Sequence, residues 1–200
     1  MAEITELLDE AASLKMPGHL QRFLHRERPP SESERTLSYY SYSYELAFLQ
    51  LAASVKGRWH RNDLMMAPLF YLGRHSMELH LKYAIEEYSG YTGEGGKYTG
   101  HDLLALWNEL RRQIMLADVG DDGDEWNKHV DRLIKHIHAI DPKGDSFRYP
   151  HSISGKVFDY TRVEFEGLVK AHQHITGCCG ASIDVLSAHR ERRREKFEKA

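Results

Sequence analysis

The sequence predicts an all-α protein, an up-and-down helical bundle of about five helices with two long connecting loops. Three observations lead to this prediction. Apolar residues recur at helical spacing in several stretches of the chain. No alternating pattern of the kind that indicates a strand persists beyond a few residues. Stretches rich in glycine, serine or proline interrupt the helical pattern at 89–100 and 141–160.

The 200 residues suit one domain with additional ends. Residues 1–35 are predicted to form a short amphipathic helix, ended by a Pro-Gly pair, and a charged linker. Residues 36–188 are predicted to form the bundle, whose first helix covers about 39–55. Residues 189–200 carry mixed charges and are predicted to be the C-terminal helix end.

The central helix of the bundle is predicted at 63–89, with Asp63 as its N-cap and Gly90 as its stop. At about 100° per residue, two apolar arcs flank one polar stripe, so the helix is expected to be buried on more than one side. The polar stripe must then face a cleft or a subunit interface. It consists of Tyr71, Arg74, His75, Glu78 and Lys82.

The polar stripe has two interpretations, which the sequence leaves open. Arg74, Glu78 and Lys82 are spaced as i,i+4 ion pairs, which are common on solvated helix faces. Alternatively, a histidine, two cations and a carboxylate converge where a phosphate binds or a proton is transferred.

The remaining elements follow from the same periodicity. A glycine-rich connection at 89–100 contains GEGGK, which lacks the other residues of a phosphate-binding P-loop. His101-Asp102 is predicted to open a third helix, a fourth follows from Trp126 to Ile140, and the last begins near Thr161. In that last helix, His172 lies on the apolar stripe and is predicted to be a core histidine.

The long connection at 141–160 has no helical period. Connections of this length are often functional, so it is predicted either to cover a cleft with Arg148 aimed inward or to cross over the bundle.

Composition limits the class of protein. A formal charge of −3 gives no general attraction to nucleic acid. The two cysteines, Cys178 and Cys179, are adjacent and poorly placed for a structural disulfide. The first residues do not resemble a signal peptide, and no apolar run is long enough for a bilayer, so we expect a cytoplasmic protein without membrane contact. Metal-binding motifs such as HExxH are missing, so we expect no metal and no cofactor.

Three segments in order resemble a known family: YLGRHSMELHLK at 71–82, GHDLLALW at 100–107 and DSFRYP at 145–150. Together they resemble bacterial proteins of the HEPN type, over about residues 63–165. The resemblance implies a helical bundle that is often dimeric. Many such proteins are metal-independent ribonucleases of toxin–antitoxin or anti-phage defence systems, and others bind RNA or serve as scaffolds without catalysis.

The resemblance implies that the chain acts on RNA, as a homodimer, with a partner protein or antitoxin. Catalytic members carry an arginine and, after four to six intervening residues, a histidine; Arg74 and His80 match this pattern. The polar stripe adds further candidates. The predicted catalytic residues are therefore Arg74, His75, Glu78 and His80, and the predicted substrate-binding residues are Lys82, His101, Asp102 and Arg148.

Helix geometry separates two of these residues. His80 follows Arg74 by six positions, which places the two side chains about 120° apart around the helix axis, with His80 on the side remote from Glu78. A dimer or a kink near Gly73 is needed to bring both to one phosphate; otherwise His75 is the more coherent site histidine. The competing interpretation is a binding or scaffolding module, in which the stripe is a buried network that fixes helix register or a dimer interface.

Overall fold

The structure is a computed structural model that describes residues 4–6, 9, 28, 31–61, 63–120, 124–152, 154–159 and 162–198, although the side chains of 59–61 and 63 are not described. The chain divides into two compact units, residues 1–32 and 33–200. In the first unit residues 4–6 and 9 are helical. The rest of the predicted N-terminal helix and most of the linker lie outside the described residues.

The second unit is a helical bundle, which confirms the predicted all-α class. Its described residues form five α-helices, and the only β-type pairing among them is a single bridge between His151 and Val157. The helices are α1 (Leu37–Val55), α2 (Met66–Thr92), α3 (Leu103–Ala117), α4 (Glu125–Ile140) and α5 (Phe165–Glu198).

Helix α2 is the centre of this bundle, as predicted. It packs against α1, α3 and α5, while α3 packs on α4 and α4 on α5, so each helix lies beside its successor in the chain. Met77 and Leu81 of α2 are fully buried, as are Phe48 of α1 and Trp107 of α3. The polar stripe of α2 faces the two long connections between the helices, which are described below.

The ends of α2 differ from the prediction. The chain first makes a 3-10 turn at Asp63–Met65, so the α-helix begins at Met66 and its N-cap is Met65 rather than Asp63. Helix α2 continues through Gly90 and ends at Gly93, where φ is +73° and the backbone N–H donates to the carbonyl oxygen of Ser89 at 3.0 Å. Only the later glycine adopts the left-handed conformation that closes a helix.

Two long connections join the helices, as predicted: residues 93–102 between α2 and α3, and 141–164 between α4 and α5. Asp102 caps α3 by accepting hydrogen bonds from the backbone N–H groups of Leu104 and Ala105 at 2.9 and 3.1 Å. Helix α5 begins at Phe165, four residues after the predicted start, and continues without a break through the charged end to Glu198. Among the described residues, no helix has the length and apolarity that crossing a bilayer requires.

His172 lies in the core, as its position on the apolar stripe predicted. Its side chain is fully buried, its Nε2 lies 3.0 Å from Oγ of Ser76, and its ring packs on Phe48 at 4.2 Å between centroids. Burial, together with the nearby His80, lowers the pKa of His172 to about 3. The folded protein therefore holds this imidazole neutral at pH values where an exposed histidine is charged.

We expect His172 to make the protein sensitive to acid. Below the unfolded-state pKa of about 6.5, the unfolded chain binds a proton at His172 that the folded chain does not bind. The free energy of unfolding therefore falls with pH between about 6.5 and about 3, by up to about 1.4 kcal/mol per pH unit from this group. Urea unfolding at pH 7.5 and pH 5.5 measures this loss.

The matched variant is His172→Gln, which is neutral at both pH values. It should be less stable than the natural protein at pH 7.5 but lose less stability on acidification. An equal loss in the two proteins would show that the acid sensitivity comes from other groups, such as His80, whose pKa burial also lowers.

Candidate functional site

The polar stripe of α2 lies under the two long connections, and Arg74 is its buried centre. Only 4% of Arg74 is exposed. Its Nη1 donates to Oε2 of Glu78 at 3.3 Å, and its Nη2 donates to the backbone oxygen of His101 at 2.6 Å and to that of Asp141 at 3.4 Å. Arg74 therefore joins α2 to the entry of α3 and to the end of α4.

Asp141 is the second carboxylate beside Arg74. Its Oδ2 lies 3.1 Å from Nε of Arg74, close enough for an ion pair although the N–H is not well directed for a hydrogen bond. Its Oδ1 accepts from the backbone N–H groups of Asp145 and Ser146 at 3.0 and 3.1 Å. Asp141 thus binds the guanidinium and at the same time shapes the start of the long connection.

Gly144 completes the pocket around the guanidinium of Arg74. Its φ of +75° is in the left-handed region, which favours glycine. A Cβ at this position would overlap Nη1 of Arg74 and lie 2.8 Å from its Cζ. Both the backbone conformation and the close approach therefore require glycine here.

Glu78 is buried and has three partners. Besides Arg74, its Oε1 accepts from Nζ of Lys82 at 2.8 Å and lies 2.9 Å from Nδ1 of His101. Burial alone would raise the pKa of Glu78, but its hydrogen bonds and charge interactions with Lys82 and His101 hold that pKa below its usual value. Glu78 is accordingly an anion that orients His101.

His101 combines a buried partner with an exposed position. Its side chain is 58% exposed, whereas the Glu78 side chain to which Nδ1 binds is 2% exposed. A carboxylate that holds one imidazole nitrogen fixes the orientation of the ring. The other nitrogen of the ring is available for proton transfer to a bound molecule.

His75 is the second imidazole of the site and is held by aromatic rings. Tyr44 of α1 meets it edge-on at 4.4 Å between centroids, and Tyr71 stacks on it at 5.7 Å with planes 8° apart. Burial lowers the pKa of His75, the positive charges of Lys82 and Arg148 act in the same direction, and Glu78 opposes them. His75 is therefore predominantly neutral at neutral pH, the form that accepts a proton.

Arg148 lies at the mouth of the same site. Its Nε donates to the backbone oxygen of Gly144 at 2.6 Å, and its guanidinium lies 5.7 Å from the ring centroids of both Tyr71 and Tyr149. The residue is exposed. Arg148, which was predicted to point into a cleft, thus lines the same cleft as His75 from its exposed side. Its Nη1 and Nη2 take no part in the hydrogen bond to Gly144.

These side chains line a small cleft with a volume of about 30 Å³, room for about one or two water molecules. A phosphate would therefore contact the cleft from its open side. The lining includes five of the eight predicted site residues: Arg74, His75, Glu78, His101 and Arg148. Lys82 is joined to them through Glu78.

The other two predicted residues have different surroundings. His80 points toward α1, where its Nε2 lies 3.3 Å from Oε2 of Glu45 and its ring meets Tyr42 at 5.5 Å. Arg74 and His80 therefore contact different elements within one chain, as the helical angle predicted. Asp102 has a structural role as the cap of α3, and its Oδ1 lies 3.0 Å from Nδ1 of His138.

Sequence reasoning missed two residues of the site: Asp141 and Gly144. Asp141 is 67 residues from Arg74, and no periodic pattern connects the two positions. The one local signal is a glycine close after a Pro in DPKGD, which indicates a turn but not its partner.

Comparisons of this chain with protein-family models, with curated proteins and with solved structures found no match. No group of three or more metal-ligating side chains is gathered among the described residues. The geometry of the cleft is thus the basis for proposing a function.

Proposed function

We propose that this protein is a metal-independent endoribonuclease of the HEPN type. The observation that carries the proposal is the pair of imidazoles at one cleft: His101, oriented by the buried Glu78 carboxylate, and His75, kept neutral by burial. Two histidines of this kind suit general acid and general base roles in RNA cleavage. The resemblance to the family adds the homodimer, the partner antitoxin and the toxin or anti-phage setting to the proposal.

In the proposed reaction His75 takes the proton of an RNA 2′-hydroxyl. The 2′-oxygen attacks the adjacent phosphorus, and the bond from phosphorus to the 5′-oxygen breaks. Protonated His101 gives its proton to the departing 5′-oxygen, so the products are a 2′,3′-cyclic phosphate and a 5′-hydroxyl. Exchange of protons with water returns both imidazoles to their starting forms.

Charge around the cleft supports binding of a phosphate. Arg74, Lys82 and Arg148 carry three positive charges, whereas Glu78 and Asp141 carry two negative charges. Among these cations Arg148 is exposed, so it is the residue that contacts the phosphate in this proposal. Arg74, predicted as catalytic, becomes a positioning residue, because it is buried and its donors already bind Glu78, His101 and Asp141.

The experiment that tests the proposal is incubation of the protein with an end-labelled, mixed-sequence RNA in excess EDTA. We expect fragments that end in 2′,3′-cyclic phosphate. Arg148→Ala should slow cleavage by about tenfold or more, because one charged hydrogen-bond donor to the phosphate is lost.

The control substrate carries 2′-deoxyribose at every position and should stay intact, because the proposed nucleophile is missing. Cleavage of that DNA at an equal rate, or an intact RNA with well-folded protein, would contradict the proposed reaction.

The pH dependence of kcat/KM tests the assignment of His75 as base. Because burial and nearby positive charge lower its pKa, His75 should remain neutral below pH 6.5, the ordinary histidine value. The acid limb of the profile should therefore lie below pH 6.5. Arg148→Gln should move this limb to higher pH, because a positive charge that disfavours protonation of His75 has been removed. An acid limb at or above pH 6.5 would argue for a different base.

A second candidate function, a non-catalytic RNA-binding or scaffolding module, is favoured by one observation. Arg74, the centre of the stripe, is enclosed by protein and bound to two other segments, the entry of α3 and the end of α4, as in a network that fixes helix register. Such a module would bind RNA without cutting it. The EDTA assay separates the two candidates directly.

A further inference from the structure

A larger cavity adjoins the cleft. It has a volume of about 770 Å³ and lies between the start of α2, the end of α4 and the long connection at 141–164. This volume is within the range of about 300–1,000 Å³ that small-molecule sites occupy. Its apolar lining includes Met66, Ile140, Phe147, Val157 and Phe158.

Aromatic side chains form much of this lining. Phe147 is fixed by stacking on Phe70 of α2 at 3.9 Å between ring centroids. Phe158 is half-buried. Tyr149 lines the cavity, and 58% of this residue is exposed. An exposed tyrosine beside an apolar cavity presents a flat surface on which a planar ring can stack.

Arg148 connects this cavity to the cleft, because it lines both. Its guanidinium lies over the rings of Tyr71 and Tyr149, one on the cleft side and one on the cavity side. Lys156 adds a second cation to the cavity lining and Asp159 a carboxylate. A molecule with an anionic group on Arg148 and a planar ring in the cavity would therefore fit both surfaces.

We propose that the cavity takes an unstacked nucleobase of single-stranded RNA, whose phosphate lies on Arg148. This inference rests on the proposed function, since it names the form of RNA that the same site accepts. In a duplex the bases are paired and stacked, so no base is free to enter. The protein should therefore prefer single-stranded RNA through Tyr149 and the cavity rather than through base pairing or net charge.

The test measures binding without cleavage. A fluorescein-labelled oligonucleotide of mixed sequence with 2′-O-methyl groups throughout lacks the proposed nucleophile, so fluorescence anisotropy reports binding alone. At fixed salt we expect the single strand to bind at least tenfold more tightly than its blunt duplex. Tyr149→Ala should weaken binding of the single strand by about tenfold, because a stacking ring is lost.

A second variant tests the cavity itself. Ala139 lines it from the exposed face of α4, so Ala139→Trp should fill the space without disturbing the core and weaken binding by a similar factor. The matched controls are Tyr40→Ala, an exposed tyrosine of α1, and Ala188→Trp, an exposed alanine of α5. Both should bind the single strand like the natural protein.

The inference is overturned if the natural protein does not bind the single strand, or if it binds the duplex equally well. It is also overturned if Tyr149→Ala and Ala139→Trp bind normally, or if Tyr40→Ala weakens binding as much as Tyr149→Ala does. Cleavage of unmodified RNA in EDTA is scored separately. If unmodified RNA is cleaved but the Tyr149 variant binds normally, only this inference fails. If binding depends on Tyr149 but no RNA is cleaved, only the proposed ribonuclease activity fails.

Discussion

Replacement of His101 by alanine is expected to slow RNA cleavage by about 10²- to 10⁴-fold, the usual contribution of a positioned general acid. The fold should remain, because the side chain is 58% exposed and Glu78 keeps its contacts with Arg74 and Lys82. Initial rates on labelled RNA and urea unfolding of the same preparation give both quantities. The loss in unfolding free energy should stay within about 1 kcal/mol, because Glu78 loses one hydrogen-bond partner and keeps the other two.

Two variants refine this prediction. His101→Asn keeps a donor for Glu78 but has no group that transfers a proton at neutral pH, so its cleavage should fall as far as that of the alanine variant. His136→Ala removes an exposed histidine of α4 and should leave cleavage unchanged. If His101→Asn retains full activity, the ring serves only to hold Glu78, and the acid must be another group.

Replacement of Arg74 by alanine is expected to lower the free energy of unfolding by about 3–5 kcal/mol, as when one partner of a buried ion pair is removed. Glu78 and Asp141 are 2% and 1% exposed at their side chains and would both lose their buried cation. The backbone oxygen of His101 would also lose its donor. Urea unfolding at neutral pH measures the change.

The matched control is Arg194→Ala, which removes an arginine that is 75% exposed and lies 3.8 Å from Glu198. Such surface pairs contribute about 0–1 kcal/mol. Arg74→Lys keeps the charge but cannot make the forked contacts of a guanidinium. Its free energy of unfolding should therefore lie between those of Arg74→Ala and the natural protein. A loss of less than 1 kcal/mol in Arg74→Ala would show that Arg74 is not the structural centre of the stripe.

Periodicity was sufficient to predict the class of fold and its central helix. The apolar arcs on both sides of the α2 stripe required neighbours on several faces, and α1, α3 and α5 provide them. Helix ends were less predictable, because Gly90 and Gly93 both suit a helix stop and only the path of the following connection decides between them. The same limit applies to Asp63, which lies in a 3-10 turn that residue preferences do not distinguish from a first α-helical turn.

The candidate site was predictable only in part, for a similar reason. Spacing along one helix placed Arg74, Glu78 and Lys82 together, and the structure shows both ion pairs. The spacing along the helix also indicated that His80 faces away from Arg74. The pairing of Glu78 with His101 and of Arg74 with Asp141 depends on how distant segments meet, and no local pattern encodes that meeting.

The contacts of Arg74 also bear on the order in which the chain folds. Its two backbone acceptors lie 27 and 67 residues further along the chain, in His101 and Asp141. During synthesis α1 and α2 emerge first, and Arg74 cannot reach its final arrangement until Asp141 has left the ribosome. Closing these long loops costs entropy before the contacts form. We therefore expect the bundle to consolidate late, with a nascent chain that ends before residue 141 remaining more open to proteases than the full chain.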